Sequence, residues 1–254
     1  FRRVLFRSSF YSPVSRSPFG HTNAHAVQTM GAYGADDPTW SHQYANDFDT
    51  YIATDWTVTV LNSTTRALTP GVGGRFLISN TSGAADLTYM QLTTAGFAVN
   101  PCRDVFFKFK GQIDSAANTV FHAGMVIPST NPVAATDGLF IHKPTGSGAL
   151  FLRSVIGGVT TSVAFPASSV ILDGVDFEVG FHVTSSGDVE AFFNPTTGAP
   201  SYQPVAGTTL PGRALTMMAP GLTASLLTPS FGILNSTAAV HTLNVDFVVV
   251  AQAR

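Results

Sequence analysis

The sequence predicts an all-β protein: a two-sheet antiparallel β-sandwich of the jelly-roll type, preceded by an extended N-terminal arm. Its 254 residues include thirty threonines and 20 phenylalanines, but only two glutamates and three lysines. Glu and Lys favour exposed helices, whereas Thr, Val and Phe fit a pleated, half-buried surface. Short alternating apolar runs separated by turn residues, without an amphipathic helical period, indicate the same fold class.

The first 46 residues differ from the rest of the chain. Residues 1–8, FRRVLFRS, match the translation of a widely used sequencing adapter, and we interpret them as an artefact of sequencing. Residues 9–46 contain several prolines and glycines and show no period of 2 or 3.6, so we predict an extended arm. The alternative is a poorly ordered leader. If the arm docks onto a neighbouring subunit, its aromatic side chains are the expected contacts: Phe10, Tyr11, Phe19, Tyr33, Trp40 and Tyr44.

Residues 47–254 are predicted to form the sandwich domain. Turn residues recur at intervals of about 8 to 14 residues, which is typical of a sandwich or barrel. The predicted strands are 56–61, 75–80, 86–93, 103–113, 119–127, 139–143, 150–155, 159–165, 176–184, 188–193, 226–234 and 241–251. So many strands in roughly 200 residues fit two packed sheets, because wide open sheets curl or split.

The clearest hairpin joins the runs 176–184 and 188–193 through a Ser-Ser-Gly turn. Alternation directs Glu178, His182 and Glu190 to its outward face. The register predicts that Glu190 lies next to His182, with Glu178 about four residues further from the turn. Pro195 cannot donate to a β-ladder, so the second run is expected to end there or to lie at a sheet edge.

Charge and cysteine content exclude several classes of protein. Charged residues make up 11% of the chain, against about 25% in ordinary soluble domains. The single Cys102 excludes an intrachain disulfide and a zinc site built on thiolates. No apolar run reaches the length of a membrane span, and no basic cluster suggests nucleic acid. Such a weakly charged surface predicts a protein that packs against copies of itself or within a larger assembly.

Few residues are available for chemistry, and we predict no enzyme. Glycoside hydrolysis needs two carboxylates about 5 to 9.5 Å apart, whereas strand geometry places Glu178 and Glu190 on the order of 12 Å apart or more. His182 and Glu190 are expected to form a cross-strand polar pair, although a general base with its orienting partner is the alternative.

No cofactor or metal is predicted. His21 and His25 have a helical metal-ligand spacing but lie in the arm, and the aspartate pairs Asp36–Asp37, Asp47–Asp49 and Asp173–Asp176 lack the dense run of a calcium loop.

Several segments resemble tailed-bacteriophage virion structural proteins that carry a concanavalin-like jelly-roll domain. The segments are residues 227–254 (LTPSFGILNSTAAVHTLNVDFVVVAQAR), 137–141 (DGLFI), 177–183 and 187–193 (GDVEAFF). Residues 48–51 (FDTY) and 245–247 (VDF) match the opening segment and the final strand of that domain. The likeness covers residues 47–254, and the sequence departs from it at Asn194 and Pro195. The resemblance implies a concanavalin- or lectin-like sandwich without transferable sugar or metal ligands.

The same resemblance implies a non-enzymatic role as a decoration or cement protein on a capsid surface. Its partners would be the major capsid protein or other virion proteins, and it would be a homo-oligomer, with a trimer suggested by analogy with threefold lattice positions. The alternative is a glycan-binding, lectin-like fibre or receptor-binding module. A polysaccharide hydrolase is the third possibility.

Overall fold

In the computed structural model, two seven-stranded antiparallel sheets pack face to face as a β-sandwich. The structure describes residues 41–70, 74–94, 96–99, 104–129, 134–184, 189–195 and 226–253. Within these ranges the helical structure is a 3₁₀ turn at Ala53–Asp55. No helical segment in the described ranges has the length and apolar character that crossing a bilayer requires. The predicted all-β sandwich is confirmed.

The strands follow the chain in this order: β1 Ser41–Asn46, β2 Trp56–Leu61, β3 Thr64–Thr69, β4 Arg75–Asn80, β5 Leu87–Leu92, β6 Val105–Ile113, β7 Thr119–Val126, β8 Gly138–Lys143, β9 Phe151–Ile156, β10 Val159–Ala164, β11 Asp176–Val183, β12 Val189–Pro195, β13 Thr228–Asn235 and β14 Thr242–Ala253. Sheet A has the order β12-β11-β6-β14-β4-β3, and β1 pairs with the second half of β14. Sheet B has the order β10-β9-β8-β7-β13-β5-β2.

Phenylalanine rings fill the space between the two sheets. Phe48 stacks on Phe76 with ring centroids 5.2 Å apart, and the Phe231 ring meets Trp56 edge-on at 5.2 Å. Aromatic pairs of this kind add about 0.5–1.5 kcal/mol beyond the area that they bury. The phenylalanines exposed by no more than 2% in this core are Phe48, Phe76, Phe97, Phe107, Phe109, Phe121, Phe177, Phe181 and Phe231. The high Phe content is therefore explained by the core.

Alternation predicted the faces of the central strands correctly. In β6, Phe107 and Phe109 are buried in the core, while Lys108 and Lys110 lie on the outer face of sheet A. β2 and β4 also have the predicted bounds. β12 is an edge strand that ends at Pro195, as predicted from the missing N–H of proline.

Two edge strands were not predicted, and one of them corrects the boundary of the arm. Ser41–Asn46, which we assigned to an arm ending at residue 46, forms β1 and pairs with β14 from Val248 to Ala253. This polar segment lacks apolar alternation, so its pairing depends on the length of β14 beyond β4. Tyr44 is consequently a residue of the sandwich whose ring lies 5.9 Å from that of Trp56, rather than an arm contact. β3 was missed because its side chains are mostly exposed.

The other aromatic residues proposed as arm contacts lie outside the described residues: Phe10, Tyr11, Phe19, Tyr33 and Trp40. The same is true of Cys102, His21 and His25.

Candidate functional site

The outward face of the β11–β12 hairpin has the predicted register. His182 lies opposite Glu190, and Glu178 lies opposite Asn194 on the same face. Each glutamate has its own cationic or polar neighbour. The structure therefore does not bring Glu178 and Glu190 together as a catalytic pair.

His182 is the centre of a small polar cluster on this face. Its ring stacks on Phe106 with centroids 4.0 Å apart and an interplanar angle of 7°. Its Nδ1 lies 3.6 Å from Glu190 Oε2, and its Nε2 lies 3.5 Å from Asp104 Oδ1. Burial by itself lowers the pKa of His182, but the two carboxylates outweigh it, so the pKa is raised. The ring is thus held between two carboxylates, which matches the expected polar pair better than a general base.

Ion pairs occupy the neighbouring strands of sheet A. Lys108 Nζ lies 3.2 Å from Glu178 Oε2, and Lys110 Nζ lies 2.5 Å from Asp246 Oδ2. Burial lowers the pKa of Lys108, and the adjacent Glu178 opposes that shift. Glu178 is therefore part of an ion pair with Lys108 on the outer face of sheet A.

A pocket of about 360 Å³ opens beside these ion pairs on the outer face of sheet A. We name it the sheet A pocket, and it is lined by Ala45, Asn46, Asp47, Lys108, Phe247 and Val249. Three adjacent strands build it, because Ala45 in β1 pairs with Val249 in β14, which pairs with Lys108 in β6. The sheet A pocket is therefore part of the pleated surface itself.

A β-bulge in β14 turns Phe247 toward the pocket. The register of β14 against β6 shifts between Val245 and Phe247, with Asp246 as the extra residue. Val245 and Val248 both face the core, whereas uninterrupted alternation would have placed Phe247 in the core with Val245. The bulge therefore provides the pocket with an aromatic ring, and it aims Asp246 at Lys110.

The polar wall of the pocket comes from the turn after β1. Asn46 Oδ1 accepts a hydrogen bond from the N–H of Phe48 at 2.8 Å, and its Nδ2 donates to Tyr44 Oη at 3.3 Å. Phe48 adopts a φ of 55° and anchors the turn through its buried ring. Gly74 packs so closely that a Cβ there would lie 2.5 Å from the Phe48 carbonyl oxygen. The turn is consequently fixed, and it presents the exposed Asp47 at the rim.

The pocket thus combines an aromatic ring with groups that bond to hydroxyls. Lys108 Nζ lies 5.0 Å from the centroid of the Phe247 ring, on the boundary between the apolar floor and the polar wall. A carboxylate accepts several hydrogen bonds, a side-chain amide both donates and accepts, and an ammonium group donates three. None of these residues was predicted from the sequence to form a binding site, although Asp47 belongs to one of the aspartate pairs and Phe247 to the segment 245–247.

A second polar cluster lies on the outer face of sheet B and was also missed. His122 in β7 lies opposite His142 in β8, and His122 Nε2 and His142 Nδ1 are 3.1 Å apart. Burial, followed by nearby positive groups, lowers the pKa of His142 to about 3 and that of His122 well below its usual value. Tyr89, whose ring meets His122 edge-on, has a buried hydroxyl with no hydrogen-bond partner among the described residues. Tyr89, His122 and His142 are at most 6% exposed. This cluster is therefore closed to solvent, whereas the sheet A pocket is open to it.

No group of three or more His, Cys, Asp or Glu side chains that could hold a metal ion occurs among the described residues.

Comparison with known proteins identifies the fold. No protein-family model matches the chain, and no curated protein matches it. Among solved structures, an endo-1,3-β-glucanase from Streptomyces sioyaensis aligns with a TM-score of 0.55 and 15% identity over 86% of this chain and 98% of its own. Winged bean acidic lectin, solved with methyl-α-D-galactose, aligns with a TM-score of 0.54 and 9% identity over 84% and 98%. A Shewanella oneidensis protein of unknown function aligns with a TM-score of 0.52 and 12% identity over 92% and 95%. At these identities the likeness shows the fold alone, and the chain has a concanavalin- or lectin-like jelly-roll sandwich.

Proposed function

We propose that this protein is a glycan-binding module that holds a sugar in the sheet A pocket. The observation that carries the proposal is the half-buried Phe247 ring beside the side chains of Asn46, Asp47 and Lys108. A pyranose has an apolar C–H face and an equatorial set of hydroxyls, so it fits a site with one aromatic surface and a few convergent polar groups. The volume of about 360 Å³ lies within the range of about 300–1,000 Å³ that is usual for small-molecule sites.

The fold supports this proposal without deciding it. A lectin and a glucanase are among the solved structures with the same architecture, but one fold serves many functions. The chemistry of the described residues favours binding over hydrolysis, since Glu178 pairs with Lys108 and Glu190 with His182.

A glycan array, followed by titration of the best ligand, tests the proposal. We expect the wild-type chain to bind a defined set of glycans, and Phe247→Ala to weaken binding at least about tenfold, or about 1.4 kcal/mol. Asp47→Asn is expected to weaken binding less, because the amide retains one acceptor oxygen. Phe151→Ala is the matched control, since Phe151 is a half-buried aromatic residue on the outer face of sheet B.

Two outcomes would contradict the proposal. One is that the wild-type chain binds no glycan on the array. The other is that Phe151→Ala abolishes binding while Phe247→Ala leaves it unchanged, which would move the ligand to sheet B.

A structural role in a virion is the second candidate. The observation that favours it is the exposed edge formed by β2 and β3, which carries the apolar side chains Val60, Leu61 and Leu68 and ends each sheet. Such an edge is suited to contact with another chain. Association with a major capsid protein, a homotrimeric state and a place on the capsid surface remain predictions from the sequence resemblance. Copy number in purified particles, together with the mass of the free chain in solution, tests them: a monomer absent from particles would reject this role.

A further inference from the structure

The turn between β13 and β14 aligns a hydroxyl, an imidazole and a carboxylate. Thr237 Oγ1 lies 3.1 Å from His241 Nε2. On the other side of the ring, His241 Nδ1 lies 3.0 Å from Asp114 Oδ2. A nucleophile within hydrogen-bond reach of a base, with that base oriented by a third group, is the arrangement that activates a hydroxyl for covalent chemistry.

Backbone hydrogen bonds hold both the carboxylate residue, Asp114, and the imidazole residue, His241, in place. Asp114 Oδ1 accepts the N–H of Thr242 at 2.8 Å, and the Asp114 N–H donates to the Thr242 carbonyl at 3.3 Å. The His241 carbonyl accepts the N–H of Asn80 at 3.0 Å, and the His241 side chain is 4% exposed. These bonds leave the imidazole little freedom to rotate.

The pairing also selects the tautomer that a general base requires. An ionised Asp114 accepts only, so His241 donates its Nδ1–H to Asp114 and keeps a lone pair on Nε2. That lone pair faces the hydroxyl of Thr237, which is exposed at the surface. A substrate can therefore approach the hydroxyl from solvent while the base remains covered.

We propose that Thr237, His241 and Asp114 form a site that hydrolyses small acyl esters. Thr237 Oγ1 attacks the ester carbonyl carbon while His241 Nε2 takes its proton. The bond to the leaving alkoxide then breaks, and His241 returns the proton to the departing alcohol, which leaves an acyl ester on Thr237. Water attacks this ester, gives a proton to His241, and releases the carboxylic acid as Thr237 Oγ1 recovers a proton. The sum is ester and water converted to alcohol and acid.

The surroundings favour a small acyl group. The backbone N–H groups of Thr237 and Ala238 donate to no acceptor among the described residues. Ala238 and Val240 follow Thr237 in the same connection between β13 and β14; both are exposed, Val240 by 56%. These short apolar side chains suit an acetyl-sized group better than a long chain.

This site is separate from the sheet A pocket. Thr242, which contacts Asp114, lies about 16 Å along β14 from Phe247 at about 3.3 Å per residue. Loss of ester hydrolysis and loss of glycan binding are therefore distinguishable.

Hydrolysis of p-nitrophenyl acetate by the full chain, with mass spectrometry of the acylated peptides, tests the proposal. We expect the wild-type chain to accumulate an acetyl group on Thr237, and Thr237→Val to lower the rate about 100-fold or more. Asp114→Asn is expected to lower the rate while the chain remains folded. Thr160→Val is the control, because it removes an exposed hydroxyl from β10, the edge strand of sheet B that lies farthest from β13 in the strand order.

The proposal is overturned if Thr237→Val hydrolyses the ester as fast as the wild-type chain, or if the acetyl group is found only on lysine or histidine side chains. Urea unfolding of each variant identifies a loss that comes from unfolding. If Thr237→Val does not fold, Asp114→Asn provides the test. The proposal is likewise overturned if Asp114→Asn folds and hydrolyses the ester as fast as the wild-type chain.

Discussion

Replacement of His142 by asparagine should make the protein less sensitive to acid. Burial and the positive groups around it lower the pKa of His142 to about 3 in the folded chain, whereas a histidine in the unfolded chain titrates near 6.5. Between these pH values the unfolded state binds more protons, so stability is fully present above about pH 6.5 and falls as the pH falls toward 3.

The size of this effect follows from the two pKa values. Between pH 7 and pH 5, a shift from about 6.5 to about 3 removes about 2 kcal/mol of stability, and about 1 kcal/mol after allowance for solvent screening. His122 contributes with the same sign, because its pKa is also lowered. Asparagine places an amide near the position of His142 Nδ1, so His142→Asn preserves a hydrogen bond to His122 but removes one titrating group.

Urea unfolding at pH 7 and pH 5, followed by tryptophan fluorescence, measures the effect. We expect His142→Asn to lose about 1–2 kcal/mol less between the two pH values than the wild-type chain does. His182→Gln is the control of opposite sign. The pKa of His182 is raised, so its stabilisation is present at low pH and is lost as the pH rises through the folded-state pKa. Removing it should steepen the loss at pH 5. An equal loss in His142→Asn and the wild-type chain would refute the reasoning.

Three further predictions concern the stability of the sandwich. The buried ammonium group of Lys143 lies within hydrogen-bond distance of four backbone carbonyl oxygens, so Lys143→Met should cost about 2–4 kcal/mol in urea unfolding; a cost below about 0.5 kcal/mol would contradict this. A Cβ on Gly232 would lie 2.3 Å from the Thr88 carbonyl oxygen, so Gly232→Ala should cost about 1–3 kcal/mol, and an unchanged urea midpoint would reject the close packing. Phe231 is fully buried against several aromatic rings, so Phe231→Ala should cost about 3–5 kcal/mol in calorimetry, and a loss below 1 kcal/mol would place its ring outside the core.

Strands with one buried face were predictable, because their alternation survives in the sequence. β6 and β11 alternate between core phenylalanines and outward charged residues, so their faces and the pairing of His182 with Glu190 followed directly. The same alternation and register predicted that Glu178 and Glu190 lie too far apart on this face to act as a catalytic pair.

The sheet A pocket was not predictable by this logic, since it depends on a break in alternation. The alternation of Val245, Asp246 and Phe247 would place Phe247 in the core, and only the bulge at Asp246 reveals that Phe247 faces outward. β1, which supplies the polar wall, has too few apolar residues to be recognised as a strand.

Sites that join distant parts of the chain were out of reach for a different reason. His241 and Asp114 are 127 residues apart, and His122 meets His142 only because β7 pairs with β8 in one register. No local pattern marks such partners, so the structure was required to find them.

The most direct test of glycan binding at the sheet A pocket is an NMR titration of the isotope-labelled chain with the best glycan from the array. We predict that the largest amide shift changes occur at Ala45, Asn46, Asp47, Lys108, Phe247 and Val249. Changes confined to the outer face of sheet B, around His122 and Phe151, would contradict the account, as would the absence of any saturable change.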